Sequence, residues 1–315
     1  MKIIITGGCG YKGHVLVPKI LKKGHEVCVH DTMWFGNELE PHDRLTVKKS
    51  DIRFIQEEEL DGFDTIIHLA SIANDPCGDL NPKLTWETSC LATMQLANKA
   101  EKAGIKQFLY ASSGSVYGVK EEHKVTEELS LEPISEYNKT KMVAERVLLS
   151  HSDKMNIQIV RPATVCGVSP RMRFDVSVNM LTMQALTKKK ITVFGGAQIR
   201  PNIHIDDICD LYLFLIEKPQ LQGIFNAGFE NLSIMDIAKK VSDFVQCEIV
   251  TTPSNDPRSY RLNSDKILKA GFAPKKGVDN AIAEIIQAFK KGSVKDDLRH
   301  HNLAWMKQNF LAEAG

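Results

Sequence analysis

The 315-residue sequence lacks any apolar run that approaches the roughly 20 residues of a membrane-spanning helix. It also lacks a large excess of positive or negative charge, since its formal net charge is +1. Neither nucleic acid nor a membrane surface is therefore expected as a partner. Its seven cysteines are scattered, without close pairs or the spacing of metal ligands. Met1 leads directly into the first predicted strand, which leaves no room for a targeting segment. These features predict a cytoplasmic protein with reduced thiols and no bound metal.

Short apolar runs alternate with helix-like segments along much of the chain. The apolar runs predict buried strands at residues 2–6, 26–30, 65–69, 106–111 and 156–160. The helix-like segments predict helices at 14–23, 92–103, 137–150 and 206–217. This alternation predicts an α/β fold with a doubly wound parallel sheet, whose active residues lie beyond the carboxyl ends of the strands.

A glycine-rich turn joins the first predicted strand to the first predicted helix. Gly7 suits the tight turn, Gly10 lets the backbone approach a diphosphate, and Gly13 lets the helix pack closely on the strand. Asp31 ends the second strand about 20 residues after this turn, where an acid binds the ribose hydroxyls of NAD. A carboxylate at this place repels the additional phosphate of NADP, and no arginine stands beside it. We therefore predict NAD as the cofactor.

Tyr137 and Lys141 are four residues apart in a predicted helix, so they share one face. A nearby ammonium group stabilises the phenolate and lowers the pKa of a tyrosine from about 10, which lets it act as a base near neutral pH. Ser113 follows an apolar strand and would hold the substrate hydroxyl. Tyrosine–lysine pairs occur by chance on many helices, but here a dinucleotide turn precedes the pair. Together these residues predict dehydrogenase chemistry on a sugar or alcohol hydroxyl.

The motifs and their order resemble those of the extended short-chain dehydrogenase/reductase family, the nucleotide-sugar epimerases and dehydratases. The resemblance runs from Thr6 to about Arg258. It rests on six stretches, Thr6-Gly7-Gly8-Cys9-Gly10-Tyr11-Lys12-Gly13, Asp51-Ile52, His68-Leu69-Ala70-Ser71, Ser112-Ser113-Gly114-Ser115-Val116-Tyr117-Gly118, Arg161-Pro162-Ala163-Thr164 and Arg200-Pro201-Asn202-Ile203-His204-Ile205-Asp206-Asp207.

The resemblance implies roles for these residues. Ser113, Tyr137 and Lys141 become the catalytic residues, and Arg200 meets the diphosphate of a nucleotide-diphosphate sugar. The implied NAD-binding residues are Gly7, Gly10, Tyr11, Lys12, Gly13, Asp31, Asp51, Ile52, Leu69, Ala70, Ser71, Ser89, Tyr137, Lys141 and Pro162. The implied substrate-binding residues are Ser113, Ser115, Asn179, Arg200 and Arg258. For Asn179 and Arg258 an ordinary structural role is an equal alternative.

Departures from the family pattern narrow the predicted reaction. The dehydratases carry an Asp-Glu pair after the catalytic serine or threonine, whereas this chain has Gly114 and Ser115 there. Neither residue can act as an acid or base, so a 4,6-dehydratase is not expected, and the glutamate of a decarboxylase is missing too. Ser89 takes the place of the family's asparagine after the fourth strand. With dehydration and decarboxylation not expected, the predicted reaction is oxidation of a hydroxyl at a sugar carbon, C4.

Three hypotheses for the function follow. The first is a nucleotide-sugar 4-epimerase with a 4-keto intermediate, and the second is a 4-dehydrogenase or ketoreductase that releases or consumes the keto sugar. The third is a non-catalytic NAD sensor, which would have no need of the catalytic residues. The predicted organisation is an NAD-binding Rossmann domain over residues 1–165, joined by 206–228, and a smaller C-terminal sugar-binding lobe of 166–205 and 229–315. The family resemblance also implies carbohydrate biosynthesis and a homodimer, paired through the helices around 91–103 and 137–149.

Overall fold

A computed structural model describes residues 1–254 and 259–310. These residues divide into two units, each made from several stretches of chain. The first unit comprises Met1–Val116, Pro133–Arg161 and Cys209–Phe225. The second comprises Tyr117–Glu132, Pro162–Ile208 and the described residues from Asn226 onward. Arg258 lies outside the described residues.

The first unit is built on a sheet of seven strands. Strands β1 to β6 and β10 cover Lys2–Thr6, Glu26–Asp31, Leu45–Lys49, Thr65–His68, Gln107–Ala111, Asn156–Pro162 and Gly223–Ala227. Their order is β10-β6-β5-β4-β1-β2-β3, and the neighbours from β6 to β3 pair in parallel. The order 3-2-1-4-5-6 is that of a Rossmann sheet, which reverses its winding between β1 and β4 and binds its ligand there. The predicted α/β fold is confirmed.

Buried apolar side chains explain why these strands occupy the middle of the sheet. Ile3, Ile4 and Ile5 of β1 have no accessible surface, as expected for a strand covered on both faces. By contrast, β3 has the sequence Leu-Thr-Val-Lys-Lys and lies half exposed at the edge. β3 was not predicted from the sequence, because charged edge strands carry no continuous apolar run.

Eleven α-helices lie within the described residues. Helices α1 to α11 cover Gly13–Lys22, Asp75–Gly78, Pro82–Trp86, Ala92–Lys102, Glu136–Leu149, Ser177–Lys188, Ile205–Ile216, Ile234–Phe244, Asp265–Lys269, Val278–Lys290 and Asn302–Phe310. A π-helical turn, Glu87–Leu91, precedes α4. Leu96 of α4 and Leu148 of α5 belong to one core cluster with Ile66 and Phe108 of the sheet. None of the described helices has both the length and the apolar character needed to cross a bilayer.

The second unit contains two small sheets. Strands β7, β9 and β11 cover Thr164–Cys166, Ile199–His204 and Glu230–Ser233, and β8 and β12 cover Lys190–Phe194 and Glu248–Thr252. The orders are β11-β9-β7 and β12-β8. Leu181 of α6, Ile237 of α8 and Ile282 of α10 share an apolar core with Ile191 of β8.

Candidate active site

Glycine is required at the turn between β1 and α1 because other backbone lies against it. Gly7 has a φ of 73°, and a Cβ there would lie 2.6 Å from the Ala70 nitrogen. A Cβ at Gly13 would lie 2.1 Å from the Gly8 carbonyl oxygen. At Gly10 the added atom would meet only the Gly7 carbonyl oxygen, at 3.2 Å, so the backbone there is open on its other sides. An open backbone at the start of a helix suits the approach of a diphosphate.

Asp31 is fixed beside this turn at the end of β2. Its carboxylate accepts hydrogen bonds from the backbone nitrogens of Cys9, at 2.9 Å, and Met33, at 2.7 Å. His14 links the same turn to the loop after β2, since Nε2 accepts from the Glu38 nitrogen and Nδ1 therefore donates to the Gly10 carbonyl oxygen. The carboxylate and the open turn thus fit the ribose and the diphosphate of NAD.

Asp51 is held by an arginine that the sequence analysis did not single out. Arg53 donates to both Asp51 oxygens through its side chain, at 2.7 to 3.1 Å, and also reaches Glu87 at 3.3 Å. Burial alone would raise the pKa of the Asp51 carboxyl, but the hydrogen bonds from Arg53 lower it. Ile52 is buried beside it. The i, i+2 spacing of Asp51 and Arg53 was the available signal.

Ser89 lies in the π-helical turn and faces the end of β4. Its hydroxyl is 3.2 Å from that of Ser71 and accepts from the Ile72 nitrogen at 3.2 Å. Such turns occur often at functional sites. Leu69 and Ala70 complete this segment, and Leu69 donates its N–H to the Thr6 carbonyl oxygen at 2.9 Å.

A buried histidine braces the same turn. Thr93 donates to the Ser89 carbonyl oxygen, so its hydroxyl oxygen accepts from His68 Nε2, at 2.9 Å. The other ring nitrogen of His68 then accepts from the Thr6 hydroxyl at 2.5 Å. Burial is the main cause that lowers the pKa of His68 to about 3, so the ring is neutral. His68 is a structural residue of the core.

Tyr137 and Lys141 lie on α5 at the carboxyl end of β5. The Lys141 ammonium is 5.9 Å from the centre of the Tyr137 ring and 4.7 Å from that of Tyr110. It donates to the Ala111 carbonyl oxygen at 2.7 Å, two residues before Ser113. Lys141 is only 2% exposed, and burial followed by the charge of Lys12 lowers its pKa from 10.5 to about 7.

Ser113 lies two residues after the end of β5 and is 7% exposed. Its hydroxyl oxygen accepts from the backbone nitrogen of Ser115 at 3.1 Å, within the 3₁₀ turn Gly114–Tyr117. The bond uses one lone pair and leaves the hydroxyl hydrogen available as a donor.

A buried ion pair anchors the back of α5. Arg161 of β6 donates to both oxygens of Glu145, at 2.6 Å for the shortest bond, and Ser112 donates to the same carboxylate. Glu145 lies four residues after Lys141, so Tyr137, Lys141 and Glu145 form one helix face. The sequence analysis missed Glu145, although this repeated spacing could have revealed it.

Lys12 places an ammonium group at the glycine turn. Its Nζ lies 3.2 Å from the Tyr212 hydroxyl oxygen and 5.6 Å from the centre of the Tyr212 ring. The buried side chain of Tyr11 lies beside it in the sequence. A cation at the glycine turn fits a group that carries a diphosphate.

Two of the residues predicted on the substrate side, Asn179 and Arg200, belong to the second unit. Asn179 is fully buried, and its amide accepts from the Gly167 nitrogen and donates to the Arg173 carbonyl oxygen, both at 3.0 Å. Arg200 lies half-buried on β9 and donates to the Ile199 carbonyl oxygen at 3.4 Å. Pro162 is the last residue of β6.

One group among the described residues has the composition of a metal site. His204, Asp206 and Glu284 lie within 4.8 Å of one another. The Lys276 ammonium lies 2.6 Å from both carboxylates and supplies the positive charge between them.

Residues 3–228 match the NAD dependent epimerase/dehydratase family. The chain belongs to this family. It is therefore an NAD-dependent enzyme of the nucleotide-sugar epimerase, dehydratase and decarboxylase type. The predicted family and the predicted cofactor are confirmed.

The similar curated proteins span more than one reaction. A UDP-glucose 4-epimerase of Lactobacillus helveticus is 25% identical over 90% of this chain and 95% of its own length. UDP-glucuronic acid decarboxylase 1 of Arabidopsis thaliana is 26% identical over 94% of this chain and 72% of its own length. An uncharacterised UDP-glucose epimerase of Bacillus subtilis, YtcB, is 31% identical over 77% of this chain and 82% of its own length.

Solved structures share the fold at low sequence identity. MoeE5 in complex with UDP-glucose and NAD has a TM-score of 0.83 at 21% identity, covering 93% of this chain and all of its own. UDP-glucose 4-epimerase of Thermotoga maritima with UDP-glucose has a TM-score of 0.83 at 24% identity, covering 93% of this chain and 99% of its own.

Proposed function

We propose that this protein is a nucleotide-sugar 4-epimerase that acts on a UDP-hexose. The observation that carries the proposal is the placement of Lys141, whose ammonium faces the Tyr137 ring and binds the Ala111 carbonyl oxygen just before Ser113. The similar proteins named as UDP-glucose epimerases support the choice of sugar nucleotide. Gly114 and Ser115 argue against water elimination, because neither side chain is an acid or base of the required kind.

Each catalytic residue then has a defined task. NAD held at the glycine turn would supply a reversible acceptor for the hydride of C4. Tyr137 takes the proton of the C4 hydroxyl, and the Lys141 ammonium stabilises the resulting phenolate. Ser113 donates a hydrogen bond to the oxygen as it becomes a carbonyl oxygen. After the ketone has presented its other face, Tyr137 returns the proton to the oxygen.

The remaining residues serve binding. The open backbone at Gly10, with Tyr11 and Lys12, would hold the cofactor diphosphate, and Asp31 its ribose. Asp51, Ile52, Leu69, Ala70, Ser71, Ser89 and Pro162 would line the rest of the dinucleotide site. Arg200, Arg258 and Ser115 are proposed for the sugar nucleotide; Asn179 would act by supporting the loop after β7.

We further propose that the protein is a cytoplasmic homodimer, paired through α4 and α5, that serves carbohydrate biosynthesis. Leu91 supports this pairing, because it is 43% exposed at the start of α4. Sedimentation equilibrium tests the dimer, and a mass near 35.2 kDa would contradict it.

Replacement of Tyr137 by phenylalanine tests the chemical proposal. We expect Tyr137→Phe to lose turnover by at least about 100-fold, since the base is removed, and to keep its NAD. The assay is NMR detection of a new sugar isomer from UDP-glucose, with the NAD content measured in parallel.

Tyr110→Phe is the matched control. The Tyr110 hydroxyl is buried without a hydrogen-bond partner among the described residues, so its removal should leave turnover unchanged. Turnover by Tyr137→Phe at the wild-type rate would refute the assignment of the base.

A further inference from the structure

One carboxylate oxygen in the first unit holds residues on both sides of Tyr137. Asp75 Oδ1 accepts from the Ser135 hydroxyl at 2.5 Å and from the Asn138 side-chain amide at 2.7 Å. Ser135 is also the N-cap of α5, because its hydroxyl oxygen accepts from the Asn138 backbone nitrogen at 3.2 Å. The cap of the helix and its third residue are therefore tied to one point.

Two more contacts join the segment of residues 74–86 to the same helical turn. Trp86 donates its indole N–H to the Glu136 carboxylate at 2.6 Å. Gly78 lies so close to Tyr137 that an added Cβ would be 3.0 Å from the Tyr137 Cβ and 3.1 Å from its backbone nitrogen. The segment thus touches each of residues 135 to 138.

The segment reaches this position through a strained residue. Asn74 has φ 75° and ψ 159°, a backbone conformation that residues other than glycine rarely adopt. Its side-chain oxygen accepts from the Cys77 nitrogen at 2.9 Å and begins the short helix that carries Asp75. Such strain persists only where surrounding contacts determine the conformation. Here the surrounding contacts include the hydrogen bonds of Asp75 and Trp86 to the first turn of α5 and its N-cap.

Tyr137 needs support from outside its helix because it lies in the first turn of α5. Tyr137 is the second residue of α5, and the N–H groups of a first helical turn have no partners within the helix. Helix ends fray, whereas Lys141 lies one turn deeper and is buried. Without an external anchor, the phenol would move relative to the ammonium.

We propose that Asp75 is a positioning residue that clamps the first turn of α5 and so holds Tyr137 in reach of Lys141 and the substrate hydroxyl. The inference rests on the proposed function in taking Tyr137 as the base. Asp75 acts by fixing geometry, because its Oδ1 accepts both bonds. An asparagine offers an oxygen to the same two donors.

Two substitutions at Asp75 and one matched control test this clamp. Asp75→Ala removes the accepting oxygen, and we expect kcat to fall by on the order of 100-fold with little change in KM, because the base is misplaced while binding groups remain. Asp75→Asn should restore most of kcat. Asp79→Ala, at the exposed end of the same short helix, should behave as wild type. NAD content should be equal in all three.

Hydrogen exchange separates the clamp from the chemistry. In Asp75→Ala, the backbone amides of residues 135–139 should exchange faster than in wild type, and Asp75→Asn should restore their protection. This measurement needs no substrate. It therefore tests the effect of Asp75 on α5 even if no sugar is turned over or if Tyr137→Phe stays active. Wild-type kcat and exchange in Asp75→Ala would overturn the proposal, as would an Asp75→Asn variant as impaired as Asp75→Ala.

Discussion

At the scale of single residues, Lys141 places a positive charge in a buried position. Its ammonium is buried and lies near the charge of Lys12. These conditions lower its pKa to about 7, whereas an unfolded chain leaves it at 10.5. Between those two values the unfolded chain binds a proton that the folded chain does not. The contribution of Lys141 to the free energy of unfolding must therefore rise with pH in that window.

Lys141→Met isolates this contribution, since methionine has similar length and no charge. For protein stripped of NAD, we expect the difference in the free energy of unfolding, wild type minus Lys141→Met, to increase between about pH 7 and pH 9. The increase should approach about 1 kcal/mol per pH unit. Urea unfolding at several pH values measures it. A difference that stays constant over this range would show that Lys141 keeps its ordinary pKa, and one that falls would likewise contradict a lowered pKa.

Residue spacing in the sequence explains which site residues were predictable. Tyr137 and Lys141 were found because four residues is one helical turn. Asp75 was not found, because its partners Ser135 and Asn138 are 60 and 63 residues away in the sequence. Contacts of that range depend on how a loop and a helix pack, which local patterns do not encode.

At the scale of elements, the glycine turn shows which requirements come from the fold and which come from the cofactor. Gly13 has no room for a side chain within the protein itself. Gly10 has room, apart from one carbonyl oxygen, and its φ is not in the left-handed region. The proposed NAD site explains why position 10 is glycine, because a methyl group there would face the diphosphate.

Alanine substitutions at these two glycines separate the requirements. Gly10→Ala should lose NAD affinity by at least about tenfold, equivalent to about 1.4 kcal/mol, with little change in thermal stability without cofactor. Gly13→Ala should lower both, because α1 must move away from the turn. Titration with NAD and thermal unfolding of the NAD-free proteins measure the two effects. Unaltered NAD affinity in Gly10→Ala would place the diphosphate elsewhere.

The elements themselves were predictable where burial was complete. Strands β1, β2, β4, β5 and β6 contain continuous apolar runs, and each was predicted within two residues of its ends. Strand β8 pairs with β12 across more than 50 residues, and neither was predicted because both are short and partly exposed. The sequence indicated only a looser pattern in that region.

At the scale of the whole molecule, the order of the motifs identified the family that the match over residues 3–228 confirms. The Rossmann sheet and NAD were predicted for the same reason, since both depend on the order of strands and turns. The residues proposed to recognise the sugar have no regular spacing in the sequence that would guide a prediction. Arg200, Arg258 and Asn179 therefore stay predictions for the substrate side.

The central claim is that a hydride leaves C4 of a UDP-hexose and returns to the same carbon. UDP-glucose carrying deuterium at C4, incubated with the protein without added NAD, tests it when the product is analysed by NMR and mass spectrometry. The account predicts the C4 epimer with deuterium retained at C4 and no lasting reduced-nicotinamide absorbance. Deuterium lost or moved to another carbon, a released keto sugar, or no product at all would contradict it.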